Sequence, residues 1–185
     1  MILVVNNGSR YMRTLLVRLR EFRIKFRVSD FYNTLPKFSR YKGIILSGGS
    51  SFVNERFEFI KDIIKKTNIP VLGICLGNEY IARTFGGETI HDIPESEEEF
   101  FDINVIKENE LTGSMKILKA MDCHMHKIVK LPATFEVLGA SMYSRYDIIK
   151  HKTKPIYGVQ FHPENNEVGK KIMGNFLKNI CHEIQ

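Results

Sequence analysis

A cysteine between two glycines, in the order Gly73, Cys75 and Gly77, has the spacing of a nucleophile elbow. An apolar run precedes it and an amphipathic stretch follows it, which predicts a strand, a sharp turn and a helix. Such a turn leaves no room for side chains beside the nucleophile, so both flanking positions favour glycine. The thiol would lie at a helix N-terminus, where unpaired N–H groups and the helix dipole favour the thiolate. The alternative is a cysteine that serves only as a small buried hydrophobe.

A histidine and a glutamate follow a second apolar run near the end of the chain. The run from Ile156 predicts a buried strand that ends at His162, Pro163 fixes the turn, and Glu164 follows two residues after the histidine. If His162 reaches Cys75, it can act as general base and later as general acid, while Glu164 orients the imidazole. The alternative is an ordinary strand-end histidine with a nearby salt bridge.

A cluster of serines and glycines, Ser47 to Ser51, follows a third apolar run. Glycines allow successive N–H groups to point into one concavity, so the cluster could form a backbone nest for an anion. A flexible turn is the alternative.

The elements that would position these groups alternate along the first half of the chain. This alternation predicts a parallel sheet with helices on both faces. Functional groups of such sheets gather at the carboxyl ends of the strands. We therefore expect Asn6 to Ser9, Ser47 to Ser51 and Cys75 to share one edge. The predicted strands are 1–5, 24–28, 41–46 and 69–74, and the predicted helices are 10–22, 55–66 and, near the C-terminus, 168–180.

The chain changes in character after Gly87. An acidic run at 94–99 predicts an exposed loop, and the alternation of Phe101, Ile103 and Val105 predicts a strand. Short apolar stretches between residues 117 and 157 predict antiparallel strands. His151, between two lysines, is expected at the surface. The cluster Cys123-His124-Met125-His126 is not paired with a second cluster at zinc-type spacing, so no metal site is expected.

Length and composition set further limits. A chain of 185 residues suits one domain with a core of its own. The formal charge of +6 comes from lysines and arginines that are spread along the chain, which favours a solvated surface, with room for a docking face toward an acidic partner, over nucleic-acid binding. Three distant cysteines indicate a reducing compartment, and the absence of a leader or a membrane-length apolar run favours the cytoplasm.

The sequence resembles the class I, triad-type glutamine amidotransferases. Within that family it is most similar to members that act as a separate glutaminase subunit of an archaeal-type GMP synthase. The resemblance implies a three-layer α/β fold of the flavodoxin-like kind, with an open, mainly parallel sheet flanked by helices and an additional short antiparallel region. The stretches that carry it are 1–8, 43–49, 73–77 and 151–164.

The resemblance also implies an activity and its residues. Glutamine would be hydrolysed to glutamate and ammonia through a thioester on Cys75, with His162 and Glu164 completing a triad. The oxyanion hole would consist of the backbone N–H groups of Gly49 and Leu76. Ammonia would pass to a separate ATP-pyrophosphatase subunit that makes GMP from xanthosine 5′-monophosphate. ATP and Mg²⁺ belong to that subunit, since this chain has no P-loop.

Substrate contacts would fall on Gly48, Glu79 and His124, and at Glu79 the chain departs from the pattern of that family. The family usually has glutamine at the position of Glu79, and a carboxylate there cannot donate a hydrogen bond and repels the substrate carboxylate. Asn78 replaces a usual histidine. Two alternatives therefore stay open: a related hydrolase of another γ-glutamyl or amide substrate, and a non-catalytic, regulatory paralogue.

Overall fold

The fold is built on a large sheet whose first half is parallel. The computed structural model describes residues 1–30, 36–50, 53–91, 99–122 and 126–184. Within these residues the sheet has nine strands in the order β2-β1-β3-β4-β11-β10-β9-β6-β7, and the first five run parallel to one another. Those five are β1 (Ile2–Val5), β2 (Phe26–Ser29), β3 (Gly43–Leu46), β4 (Val71–Ile74) and β11 (Ile156–Val159).

The second half of the sheet is antiparallel, as the change in sequence character predicted. It continues from β11 through the strands β10, β9, β6 and β7. A separate antiparallel pair joins β5 to β8. The strands are β5 (Glu88–His91), β6 (Glu99–Val105), β7 (Ile117–Asp122), β8 (His126–Lys130), β9 (Phe135–Ala140) and β10 (Ile148–His151). Apart from residue 99, which opens β6, the acidic run at 94–99 lies outside the described residues.

Helices cover both faces of the parallel half because its strands are apolar on both faces. In β1, Ile2 and Val4 pack into one core cluster with residues of α1 and α4, whereas Leu3 and Val5 pack into the other with residues of α2 and α3. This confirms the predicted three-layer arrangement. The helices are α1 (Met12–Glu21), α2 (Asn54–Lys66), α3 (Leu76–Thr84) and α4 (Glu167–Asn175). No described helix is long and apolar enough to cross a membrane.

The ends of several elements differ from the sequence prediction for local reasons. α1 begins at Met12 rather than residue 10, because the hydroxyl of Ser9 accepts the N–H of Tyr11 in the preceding turn. β2 begins at Phe26, because Arg23 takes a left-handed φ of 57° and the N–H of Ile24 still bonds back to α1. The last helix is α-helical only to Asn175 and continues as a π-helical turn, Phe176–Ile180.

The prediction that His151 is a surface residue was wrong. Its side chain is only 6% exposed and packs against the rings of Phe85 and Phe135, with ring centroids 4.9 and 5.0 Å away. Its Nδ1 accepts the backbone N–H groups of Thr153 and Lys154, at 3.2 and 3.1 Å. The flanking lysines misled the prediction because alternate residues of a strand point to opposite faces.

Candidate active site

Cys75 occupies the turn between β4 and α3 that the glycine spacing predicted. Its backbone has φ 50° and ψ −109°, a conformation that non-glycine residues rarely adopt. The strain is held by hydrogen bonds on both sides, because the N–H of Cys75 donates to Val159 (2.8 Å) and its carbonyl accepts the N–H of Glu79 (3.1 Å). Strained residues of this kind cluster at functional sites.

The two flanking glycines are required by close backbone contacts. A Cβ at Gly73 would lie 2.5 Å from the carbonyl oxygen of Gly77, and a Cβ at Gly77 would lie 2.5 Å from the carbonyl oxygen of Leu46. Both distances are shorter than real Cβ contacts allow. The first turn of α3 is thereby packed directly onto the ends of β3 and β4, which fixes where the thiol lies.

The loop after β3 brings Gly48 and Gly49 against the cysteine turn. A Cβ at Gly48 would lie 2.7 Å from Cε1 and 3.4 Å from Nε2 of His162, and 3.5 Å from Cβ of Cys75. The imidazole and the cysteine therefore both lie against Gly48. Gly49 adjoins Leu76 in the same way, because its Cβ would lie 2.7 Å from Cδ2 of that side chain. The two residues that the resemblance assigns to an oxyanion hole are thus neighbours.

Asn7 holds this loop to the end of β1. Its backbone N–H donates to the Ser47 hydroxyl (2.8 Å), and its side-chain amide donates to the Ser47 carbonyl (2.5 Å). Arg56 donates to the Asn7 carbonyl from α2. The described parts of the strand-end segments therefore share one edge with Cys75, as expected for parallel strands. Residue 51 lies outside the described part.

His162 and Glu164 form a buried pair behind the cysteine. Nδ1 of His162 lies 2.9 Å from Oε1 of Glu164, and the two residues are 3% and 1% exposed. A 3-10 turn, Pro163–Asn165, folds the glutamate back onto the imidazole. Because Nδ1 is bound to the carboxylate, Nε2 is the nitrogen that faces the cysteine side of the site. The N–H of His162 donates to Met121 (3.0 Å), which anchors the turn to β7.

Two residues that the sequence did not nominate support this pair. The ring of Tyr11 meets the imidazole of His162 edge to face, with centroids 4.5 Å apart. Arg18, on α1, donates from Nε to the backbone carbonyl of Glu164 at 3.0 Å. For Tyr11 a signal was present, since it follows the strand-end loop at 6–9. Arg18 carried none, because its contact lies 146 residues away in sequence.

The first turn of α3 is tied to the histidine strand by two buried amides. Asn78 donates from Nδ2 to Oε1 of Gln160 (3.2 Å), and Gln160 donates from Nε2 to the backbone carbonyl of His126 (3.2 Å). Glycine is required at position 158, because Oδ1 of Asn78 occupies the space that a side chain would fill. Asn78 therefore has a structural place of its own, although it departs from the family pattern.

Of the other two predicted substrate residues, the structure describes only one. Glu79 is buried, 2% exposed, on the first turn of α3 after Leu76. His124 lies outside the described residues. A pocket of about 220 Å³ opens beside the imidazole of His162, and its other lining residues are Gly8, Ser9, Arg10, Tyr11, Gly49 and Ser50.

This geometry provides the parts of thiol-dependent acyl transfer. A cysteine lies at the N-terminus of a helix, with a histidine opposite it and a carboxylate that binds the distal ring nitrogen. The turns that carry the backbone N–H groups of Gly49 and Leu76 adjoin each other next to the cysteine. A nucleophile, a base, an orienting group and oxyanion donors are the set that such a reaction requires.

Comparisons with known proteins identify the family of this chain. The family model for class I glutamine amidotransferases matches residues 3–180. The glutamine-hydrolyzing GMP synthase subunit of Pyrococcus furiosus is 37% identical, with 100% of both chains covered. The corresponding subunit of Methanococcus aeolicus is 38% identical, with 98% of this chain and 97% of the relative covered.

Solved structures give the same result. The crystal structure of a protein described as a GMP synthase subunit, from Thermoplasma acidophilum, superposes with a TM-score of 0.88 at 28% identity, over 98% of this chain and 93% of the other. A glutamine amidotransferase from Thermotoga maritima, at 19% identity, shares the fold with a TM-score of 0.74, over 98% of this chain and 82% of the other. Through the motifs around Cys75 and His162 and the match over residues 3–180, this chain belongs to the class I glutamine amidotransferase family.

Proposed function

We propose that this chain is the glutamine-hydrolysing subunit of a GMP synthase, with Cys75, His162 and Glu164 as its catalytic triad. The observation that carries the proposal is the placement of both Cys75 and the imidazole of His162 against Gly48, with Glu164 bound to Nδ1 of the imidazole. The names of the full-length relatives support the choice of synthase.

The first half of the reaction forms a thioester and releases ammonia. Sγ of Cys75 attacks the side-chain amide carbon of glutamine, and Nε2 of His162 takes up the thiol proton. The carbonyl oxygen becomes negative and is stabilised by the N–H groups of Gly49 and Leu76. The C–N bond then breaks as His162 returns its proton to the departing nitrogen. Glu164 holds the imidazole in position and stabilises its charged form.

The second half regenerates the thiol. A water molecule gives a proton to His162 and attacks the γ-glutamyl thioester. The C–S bond breaks, the thiolate regains the proton, and glutamate leaves.

We propose that the ammonia reaches a separate ATP-pyrophosphatase subunit, which binds ATP and Mg²⁺ and activates xanthosine 5′-monophosphate. We propose that this takes place in the cytoplasm, as the metabolic role of the relatives suggests.

The test is a glutaminase assay of the purified chain, alone and together with the synthetase subunit, ATP, Mg²⁺ and the nucleotide. We expect glutamate release that Cys75→Ala abolishes, and labelling of Cys75 by a glutamine-like diazoketone. Cys181→Ala is the matched control, because it removes the other described buried thiol without touching the site. No glutamate release with either composition, together with an unlabelled Cys75, would contradict the proposal.

A substitution of Glu79 tests the proposed function against the alternative of a related hydrolase. If its carboxylate repels the carboxylate of glutamine, Glu79→Gln should lower KM for glutamine and leave kcat nearly unchanged. A Cys75 that is labelled although neither the wild type nor Glu79→Gln hydrolyses glutamine would instead indicate another amide substrate.

A further inference from the structure

Two histidines meet on the small two-stranded sheet, outside the triad. His91 ends β5 and His126 begins β8, and the two are directly opposite in the register of the antiparallel pair. Nδ1 of His91 lies 3.0 Å from Nε2 of His126, and the ring centroids are 4.6 Å apart. The side chain of His91 is exposed and that of His126 is half-buried, so solvent ions can reach the pair.

The separation of the two nitrogens matches that of two ligands on one metal ion. Imidazole nitrogens bind first-row metals at about 2.0–2.1 Å, so two of them lie about 3 Å apart at a right angle and about 3.4 Å apart at the tetrahedral angle of Zn²⁺. The observed 3.0 Å is a hydrogen-bond contact between the rings that is close to both separations. The separation of the ring centroids describes how the two rings are oriented. If the two nitrogens pointed straight at each other, the centroids would be farther apart than the observed 4.6 Å, so the rings are tilted off that line. Once each imidazole carries its proton on the other ring nitrogen, small side-chain rotations would direct both lone pairs to one point.

We propose that His91 and His126 form a bidentate site for a divalent transition-metal ion of the Zn²⁺ type. Imidazole is a preferred ligand of Zn²⁺, Ni²⁺ and Cu²⁺, and of these Zn²⁺ accepts the widest range of geometries. Among the described residues no third histidine, cysteine or acidic residue completes a cluster with the pair. The local spacing at 123–126 could not indicate this site, because its second ligand lies 35 residues away.

The position of the pair relates the ion to the candidate active site. The backbone carbonyl of His126 accepts a hydrogen bond from Gln160, which also binds Asn78 on the first turn of α3. At its other end the small sheet is closed by an ion pair between Lys130 and Glu88 at 2.5 Å. A bound ion would link the two strands at the end where the imidazoles meet. It would therefore hold β8 to β5 next to the hydrogen bonds that run from the carbonyl of His126 through Gln160 to Asn78.

The experiment compares Zn²⁺ binding by four purified proteins that all carry Cys75→Ala, so that the reactive thiol cannot contribute. They are this parent and its His91→Gln, His126→Gln and His182→Asn derivatives. Calorimetric titration of metal-free protein with ZnCl₂ should show one site in the parent. Each of the first two substitutions should weaken it at least about tenfold, since even loss of a group that orients a ligand costs about 10–100-fold.

His182→Asn is the matched control, because it removes an exposed histidine from the C-terminal segment and asparagine tolerates the left-handed φ of 52° there. It should bind like the parent. Zn²⁺ should raise Tm of the parent and of the control, but not of the His91→Gln and His126→Gln variants. Far-UV circular dichroism checks that these two variants are folded. Equal affinities in all four proteins, or no saturable binding to the parent, would overturn the proposal.

Discussion

Gly48 leaves a gap between the cysteine and the histidine that one methyl group would fill. The loop can approach both side chains only because the residue has no Cβ, and a Cβ would come within 2.7 Å of the imidazole of His162. The imidazole cannot easily retreat, since it is held by Glu164 on one side and by the ring of Tyr11 on the other. The position of the base is thus determined by three neighbours that come from the loops after β1 and β3 and from the turn after β11.

Gly48→Ala should therefore lower kcat/KM for glutamine hydrolysis roughly 10²-fold, because displacement of a catalytic group by about 1 Å costs a factor of that size. The overall fold should be kept, because the clash falls on a side chain at the edge of the sheet. Steady-state kinetics and a thermal melt measure the two effects. Gly174→Ala on α4 is the control, since its Cβ would meet only the ring of Phe22, at 3.2 Å. Equal activity of the two variants would show that Gly48 does not determine the position of the His162 imidazole.

The sequence predicted the triad residues because each one carries its own local signal. Glycines around Cys75 and a proline after His162 mark sharp turns, and parallel strands bring their carboxyl ends to one edge. The supporting contacts were not predictable in this way. Arg18 and Gln160 look like ordinary polar residues in sequence, and their roles follow from packing between elements that are distant along the chain.

At the scale of elements, His151 shows how a buried polar side chain joins a strand to the loop that follows it. Its Nδ1 accepts two backbone N–H groups of the turn between β10 and β11. Only an imidazole that is unprotonated at Nδ1 can accept them. Burial and, to a lesser degree, the charge of Lys154 lower the pKa of His151 below its ordinary value. The turn that begins the histidine strand thus depends on a neutral imidazole.

The free energy of unfolding should therefore fall as pH drops below about 6.5, where the unfolded chain binds a proton at residue 151 that the folded protein resists. His151→Asn retains an oxygen acceptor but does not titrate, so its free energy of unfolding should fall less over the same range. Urea denaturation at several pH values from mildly basic to mildly acidic measures both slopes. Parallel curves for the two proteins would show that His151 does not contribute to the pH dependence.

At the scale of the whole molecule, the site rests on the most central strands of the sheet. β4 carries Cys75 and β11 leads to His162, and these neighbours lie between β3 on one side and β10 on the other. The sequence indicated a parallel half and an antiparallel half. It could not predict that the last strand, β11, lies between β4 and β10, because strand order is decided by long-range pairing and not by the local pattern of apolar residues. Nucleophile and base are thus held by one shared ladder of backbone hydrogen bonds.

This arrangement predicts the pattern of amide hydrogen exchange. The amides of β4 and β11 should exchange slowest, because both strands are buried and paired on each side, and their opening approaches global unfolding. Those of β2 and β7 should exchange faster, since each is paired on one side only within the described sheet. Exchange followed by mass spectrometry after proteolysis resolves these segments. If β7 were as protected as β4, the edge would have to be covered by another part of the chain or by a second molecule, and dilution of the protein would distinguish the two.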